Sequence, residues 1–238
     1  MDQQPASPTH PKPTPKPTME QQWTLVDQYI ASKLAPADKP LDEALHDSEA
    51  AKLPPINVSP NQGKFLHLLV RLMGAKRILE IGTLGGYSTI WLARALPAGG
   101  QVITVEVDPD RADLARANIA RSGLAESVNI RVGAALDILP QLAGEEREPF
   151  DLVFVDADKR NNPNYFQWAL KLTRTGSLII IDNVVRQGTI TEDHSTDPDI
   201  QGTRRLFDML AAEKRVCAAA LQTVGVKGYD GLAMVVVM

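Results

Sequence analysis

Asp156 and Lys159 close one apolar run, and Asp182 and Asn183 close another. The runs are Leu152-Val-Phe-Val155 and Leu178-Ile-Ile-Ile181, both fitting strands buried on two faces. In an open parallel sheet such strands end on one rim, and ligands gather there. Asp156, Asp182 and Asn183 can then converge. Three hard oxygen donors without a nearby histidine or cysteine suit Mg²⁺ first, with Ca²⁺ or Mn²⁺ possible, rather than zinc. A divalent cation lowers the pKa of a hydroxyl that it binds. Lys159, three residues beyond Asp156, is within reach to take that proton as a general base. Each residue has a plainer use: Asp158 as a helix cap, Asp182-Asn183 as a turn, Lys159 as a solvated lysine. Their joint placement favours the metal-assisted site.

A second group sets the position of the first. Arg77-Ile-Leu-Glu-Ile-Gly-Thr-Leu-Gly-Gly-Tyr-Ser88 reads as a short buried strand, a glycine turn and a helix start. The next strand carries Glu106, 24 residues after Gly82. Strand, glycine turn, helix, strand and acid form the plan of a nucleoside-binding βαβ unit, the acid holding ribose hydroxyls. A dinucleotide fingerprint needs a second glycine where this chain has Leu84, so a pyrophosphate has no obvious seat. Glu80, on the strand side of the turn, suits a ligand with an ammonium group. S-adenosylmethionine has an ammonium, a carboxylate and a ribose, and no phosphate.

The elements needed to hold these groups follow in order. Strands are expected at 77–82, 101–107, 128–132, 150–155 and 177–181. Helices are expected at 86–96, 109–122, 135–143, 162–173 and 199–214. Runs 216–223 and 231–238 are joined by a link too short for a parallel crossover, so they form an antiparallel pair. The fold class is α/β: a doubly wound, Rossmann-like, seven-stranded, mostly parallel sheet with an antiparallel C-terminal pair. Upstream, Trp23, Val26, Tyr29, Ile30 and Leu34 recur at helical spacing. A second helix follows Asp38, with Leu41, Ala44, Leu45 and Ala51 on its apolar side. A third opens at Ser59-Pro60 and turns Phe65, Leu66, Leu69 and Leu72 inward. The first two cover the site or form a subunit contact. Residues 1–18 hold six of the 17 prolines and read as a disordered tail before one domain at 19–238.

Composition narrows the classes. With 25 basic and 29 acidic residues the net charge is −4, which gives no support for nucleic-acid binding. One cysteine, Cys217, rules out an intrachain disulfide. No apolar run approaches a membrane span and no signal-peptide pattern is visible, so a cytoplasmic protein is expected.

The chain resembles the cation-dependent O-methyltransferases, the family of caffeoyl-CoA and catechol O-methyltransferases. The likeness rests on Ser59-Pro-Asn-Gln-Gly-Lys-Phe65, Leu79-Glu-Ile-Gly-Thr-Leu-Gly-Gly-Tyr-Ser88, Val105-Glu-Val-Asp108, Phe150-Asp-Leu-Val-Phe-Val-Asp-Ala-Asp-Lys159 and Ile181-Asp-Asn-Val184. The resemblance implies that Asp156, Asp182 and Asn183 ligate the cation and that Lys159 is the base. It implies that Glu106 holds the ribose of S-adenosylmethionine. Glu80, Gly82, Thr83 and Ser88 would line its methionine end, and Asp156 would touch its amino group. Val58 and Ala135 match further cofactor-contact positions. A homodimer is implied as well, with amino-terminal helices that help to close the site.

The implied reaction is methyl transfer to one of two neighbouring hydroxyls on an aromatic ring. Tyr165, Trp168 and Met209 are candidate apolar contacts for it. Arg160, Arg186, Arg204 and Arg205 are candidates for the basic lip that a coenzyme A ester would need. The carboxylate that helps the catechol enzyme hold its substrate has no clear counterpart between Val224 and Tyr229. An NAD-dependent oxidoreductase and a non-catalytic S-adenosylmethionine binder are the alternatives.

Overall fold

The computed structural model describes residues 16–36, 38–145 and 148–238. Most of the proline-rich tail, residues 1–15, lies outside the described residues. Helix α1 (Met19–Leu34) starts where Thr18 and Gln21 cap each other, Thr18 Oγ1 accepting from Gln21 N and Gln21 Oε1 from Thr18 N. Asp38 caps α2 (Lys39–Ala50). Ser59 caps α3 (Pro60–Met73), which Gly74 ends in the left-handed conformation.

Then the alternation begins. Strand β1 (Arg77–Ile81) leads to α4 (Tyr87–Ala93), and β2 (Gln101–Glu106) to α5 (Pro109–Arg121). Strand β3 (Val128–Val132) precedes α6 (Ala135–Glu145), and β4 (Phe150–Val155) precedes α7 (Asn162–Leu172). Strand β5 (Thr173–Asp182) is followed by α8 (Pro198–Ala212), then β6 (Val216–Gly225) and β7 (Gly228–Val237). The sheet order is β3-β2-β1-β4-β5-β7-β6, parallel except for the two pairings of β7. Strand order reverses between β1 and β4, the place where such sheets open a crevice.

Alternate residues feed two cores. Ile78, Val102, Phe154 and Ile180 pack on one face with Leu66, Val70 and Ile90. Leu79, Ile103, Val155 and Ile181 pack on the other with Leu139 and Phe166. A double-sided core explains why these strands read as unbroken apolar runs.

Several details differ from expectation. Leu72 is 84% exposed, and Val70 is buried in its place beside Leu66 and Leu69. The buried side of α3 follows i, i+3, i+4, and Leu72 falls outside that stripe. Ala51 is exposed at the end of α2. Helix α4 stops at Ala93 rather than near Leu96, ahead of Pro97. Strand β5 begins at Thr173, four residues earlier than expected. The last hairpin is tighter, with only Val226 and Lys227 between its strands.

Helix α1 does not cover the crevice. It rests on α3 and on the hairpin through Asp27, which accepts from Asn61 Nδ2 and from Val226 N. Its Leu25, Val26, Tyr29 and Leu34 remain exposed. Helix α2 lies over the crevice instead. It is tied to the body by the Arg94–Asp38 and Arg121–Asp47 ion pairs. No helix among the described residues is long and apolar enough to cross a membrane.

Candidate active site

Register brings the site together. Ile81 is level with Val105 on one side and with Val155 on the other, and Val155 is level with Ile181. The residue after each therefore falls in one row: Glu106, Gly82, Asp156 and Asp182. These positions were named from four separate stretches of sequence, and the sheet makes them neighbours.

Gly82 has to be glycine. Its φ is 100°, and a Cβ there would run into the backbone carbonyl of Asp156. The turn that follows is pinned from the next strand. Thr83 N and Leu84 N both donate to Glu106 Oε2, at 3.2 and 2.8 Å, and Asp108 N donates to Oε1 at 3.1 Å. Glu106 thus holds the turn while its carboxylate lines the cavity beside it. Leu84, at φ 51°, keeps a left-handed backbone that few bulky residues adopt.

Glu80 is placed differently from expectation. It is fully buried and does not line the cavity. Ser88, Thr89 and Thr104 donate their hydroxyls to its carboxylate at 2.6, 2.5 and 2.7 Å, and the Thr83 hydroxyl is 2.6 Å from that of Thr104. Burial pushes the Glu80 carboxyl up to about 7, against the pull of these three hydroxyls. Its geometry is that of a peg beneath the glycine turn, bracing Ser88 from behind, and it has no exposed face for an ammonium group.

The acids and the lysine meet as anticipated. Lys159 Nζ donates to Asp156 Oδ1 at 2.8 Å, with only 6% of the lysine exposed. Asp182 is also buried. Its Oδ1 accepts from Asn183 N at 2.8 Å and its Oδ2 from Gln62 Nε2 at 2.7 Å. Burial, then the nearby charge of Asp156, raises the Asp182 carboxyl; Lys159 works in the opposite direction. Asn183 stands at φ 55°, a conformation that asparagine tolerates better than most residues.

A cavity of about 520 Å³ opens above this row. Gly82, Thr83, Ser88 and Glu106 line it on the turn side, with Val58 and Ala135 at its flanks. Asp156, Lys159 and Asn183 line the other side. Asp182 lies just behind that wall and is not part of it. Ser48, from α2, and the Ile56–Val58 segment form the cover.

The model of the O-methyltransferase family matches residues 30–236. A catechol O-methyltransferase from Niastella koreensis is 54% identical over 212 residues, 89% of this chain and 96% of that protein. The chain belongs to this family. The O-methyltransferase from Bacillus cereus, solved with SAH, superposes with a TM-score of 0.91 at 57% identity, covering 92% of this chain and all of the other. TomG from Streptomyces achromogenes, an O-methyltransferase of tomaymycin synthesis solved with SAM, gives 0.91 at 48% identity over 93% and 99%. Family membership sets aside the dinucleotide oxidoreductase.

Some members of the site were not legible beforehand. Gln62 sits in the first turn of α3, where Ser59 Oγ accepts from its N–H. That cap leaves its side chain free to reach Asp182. Gly63, next along, lets α3 lie directly on Trp91, since a Cβ would collide with the indole. Asp158 makes no side-chain cap bond; it accepts from the Tyr165 hydroxyl and from Asn161 Nδ2. Tyr165 lines the cavity, while Trp168 and Met209 pack elsewhere against the core. Among the described residues, no three acids, imidazoles or thiols gather into a metal-holding group. The donor set here is smaller: two carboxylates and an amide.

Proposed function

We propose that this protein transfers a methyl group from S-adenosylmethionine to one of two neighbouring hydroxyls on an aromatic ring, with a divalent cation held by Asp156, Asp182 and Asn183. The observation that carries the reading is the Lys159–Asp156 pair, its lysine buried, next to the buried Asp182 and one strand away from the glycine turn. The donor set fits a hard cation. Two carboxylates repel each other and are offset by a single lysine, and all the donors are oxygens. When bound, a cation of this type supplies positive charge that draws paired oxygens and acidifies a hydroxyl, and the sulfonium donor supplies an electrophilic methyl group.

The chain's own residues do the rest. Glu106 is suited to hold the ribose hydroxyls while it keeps the Thr83–Leu84 backbone in place. Ser88, braced by Glu80, and Thr83 form the wall for the methionine end. Lys159 Nζ takes the phenolic proton. Burial of that amine and alignment of the two reactants supply most of the rate. Tyr165, fixed to Asp158, offers a rigid ring edge beside the acceptor.

The test is methyl transfer from labelled S-adenosylmethionine to catechols, caffeoyl esters and flavonoids, each with Mg²⁺ and with EDTA. Transfer to a vicinal diol that stops in EDTA is the expected result. Cofactor binding without transfer to any diol would overturn the reading in favour of a non-catalytic binder.

The exposed apolar side of α1 and the long exposed strand β6 support a second reading, a homodimer. Light scattering on the purified chain checks it, and a monomer at micromolar concentration rules it out.

A further inference from the structure

The acceptor side of the cavity carries a cation that methyl transfer does not use. Arg186 stands three residues beyond Asn183 and lines the same cavity as Lys159. Among the described residues its guanidinium makes no ion pair, and its Nε is buried without a hydrogen-bond partner. An unpartnered buried charged donor is costly, and nearby acids would normally relieve it.

The nearby acids are engaged elsewhere. Asp199 accepts from Arg160 through both Nε and N, at 3.0 and 3.1 Å. Asp158 takes the Tyr165 hydroxyl and the Asn161 amide. Asp230 Oδ1 accepts from the backbone N–H groups of Val185, Arg186 and Gly231, each at 2.9 Å. Asp230 therefore fixes the Arg186 backbone and leaves the side chain to something else. That backbone is unusual: Arg186 and Gln187 have φ of 53° and 56°, a left-handed pair that does not include glycine. Such conformations persist where the surroundings over-determine them, and they cluster at ligand clamps.

We propose that Arg186 recognises a carboxylate on the acceptor, so that the preferred substrate is an aromatic acid carrying the two neighbouring hydroxyls. The inference rests on the vicinal-diol reading above and narrows its substrate class. A planar guanidinium suits a carboxylate through paired hydrogen bonds. A site built for such a group discriminates strongly against the analogue that lacks it, because its own polar atoms are then left unpaired. A coenzyme A ester is disfavoured. Its phosphates would need several free cations at the rim, but Arg160 is held by Asp199, Arg204 by Asp193 and the Ile190 carbonyl, and Arg205 does not line the cavity.

The experiment compares 3,4-dihydroxybenzoate with its methyl ester and with catechol, using wild type, Arg186→Gln and Arg186→Lys, all with Mg²⁺. Wild type is expected to favour the acid over the ester by about tenfold or more in kcat/KM. Arg186→Gln brings that ratio to about one, chiefly by raising KM for the acid, and Arg186→Lys keeps part of it. A flat ratio in wild type, or a ratio unchanged in Arg186→Gln, overturns the proposal. Transfer to catechol or the ester leaves the vicinal-diol reading standing in that case. If none of the three diols is methylated, calorimetric binding of 3,4-dihydroxybenzoate to the SAH-loaded proteins decides. Weaker binding to Arg186→Gln supports the arginine's role, and equal affinity overturns it.

Discussion

Gln62 Nε2 donates to Asp182 Oδ2 at 2.7 Å, a bond between the first turn of α3 and the last residue of β5, 120 residues apart. The other oxygen of Asp182 accepts from Asn183 N, so both are held at fixed angles. On the proposed cation reading Gln62 orients a metal ligand, and groups of that kind commonly change metal affinity by about 10–100-fold when removed. Gln62→Leu should therefore raise the half-saturating Mg²⁺ concentration by about tenfold. Mg²⁺ titration of activity, paired with Mn²⁺ binding followed by electron paramagnetic resonance, checks this. Unchanged metal binding would make Gln62 no more than a packing residue.

Lys159 should separate chemistry from binding. Its Nζ is buried against Asp156 and has no role in the glycine turn. Removing a positioned base typically costs about 10²–10⁴ in rate. Lys159→Ala is expected to lose turnover on that scale, with the S-adenosylmethionine dissociation constant changed by less than about threefold. Turnover close to that of wild type would remove the lysine from the mechanism.

Glu106 should act on the cofactor and the fold together. Three backbone N–H groups converge on its carboxylate. Buried donors left without a partner cost about 1–3 kcal/mol each. Glu106→Ala should weaken S-adenosylmethionine binding by about tenfold or more in calorimetry and lower Tm as well. A loss of affinity with Tm untouched would show that the turn stands without its pin.

Gly82 and Gly74 make a controlled comparison. Both have positive φ, 100° and 61°. A Cβ on Gly74 meets nothing within 4 Å, whereas one on Gly82 meets the Asp156 carbonyl. Gly74→Ala should cost about 1 kcal/mol from backbone conformation alone. Gly82→Ala adds a steric clash with rigid backbone and should cost about 3 kcal/mol or more. Urea unfolding of both variants measures the difference. Equal losses would mean that β1 and β4 can part at their ends without penalty.

Much of this site was legible because its residues sit where short-range rules are strict. Apolar runs ending in Asp156 and Asp182 read as buried strands, and parallel pairing puts their ends in one row whatever the details of the helices. Gly82 was legible because only glycine fits its backbone. What was hidden depends on partners far apart in sequence. Nothing in a glutamine at position 62 points to Asp182, and nothing in Glu80 tells whether its carboxylate faces a ligand or three hydroxyls. The spacing of Val26, Tyr29, Ile30 and Leu34 announces a helix, but periodicity cannot tell a face that packs inside the chain from one left exposed. Arg186 was one of four arginines of equal standing until the structure showed Arg160 and Arg204 paired with acids, Arg205 outside the cavity lining, and Arg186 on the cavity wall with its Nε unpartnered.

The buried Glu80 should leave a mark on stability as a function of pH. Its folded value is about 7 against an ordinary 4.5. Between those values the folded state binds more protons than the unfolded chain. Stability conferred by the protonated form is complete below about 4.5 and is lost as pH rises through about 7. The span is worth on the order of 3 kcal/mol. Glutamine resembles the protonated acid and cannot ionise, although its amide sets a donor against hydroxyls that already donate. Glu80→Gln should therefore lie within about 1 kcal/mol of wild type near pH 5. It should lose on the order of 3 kcal/mol less between about pH 5 and about pH 8. Urea unfolding at both pH values gives the comparison. Asp182, also raised, contributes the same sign in both proteins and drops out of the difference. Parallel pH curves would show that the three hydroxyls hold Glu80 ionised throughout, and that burial does not win.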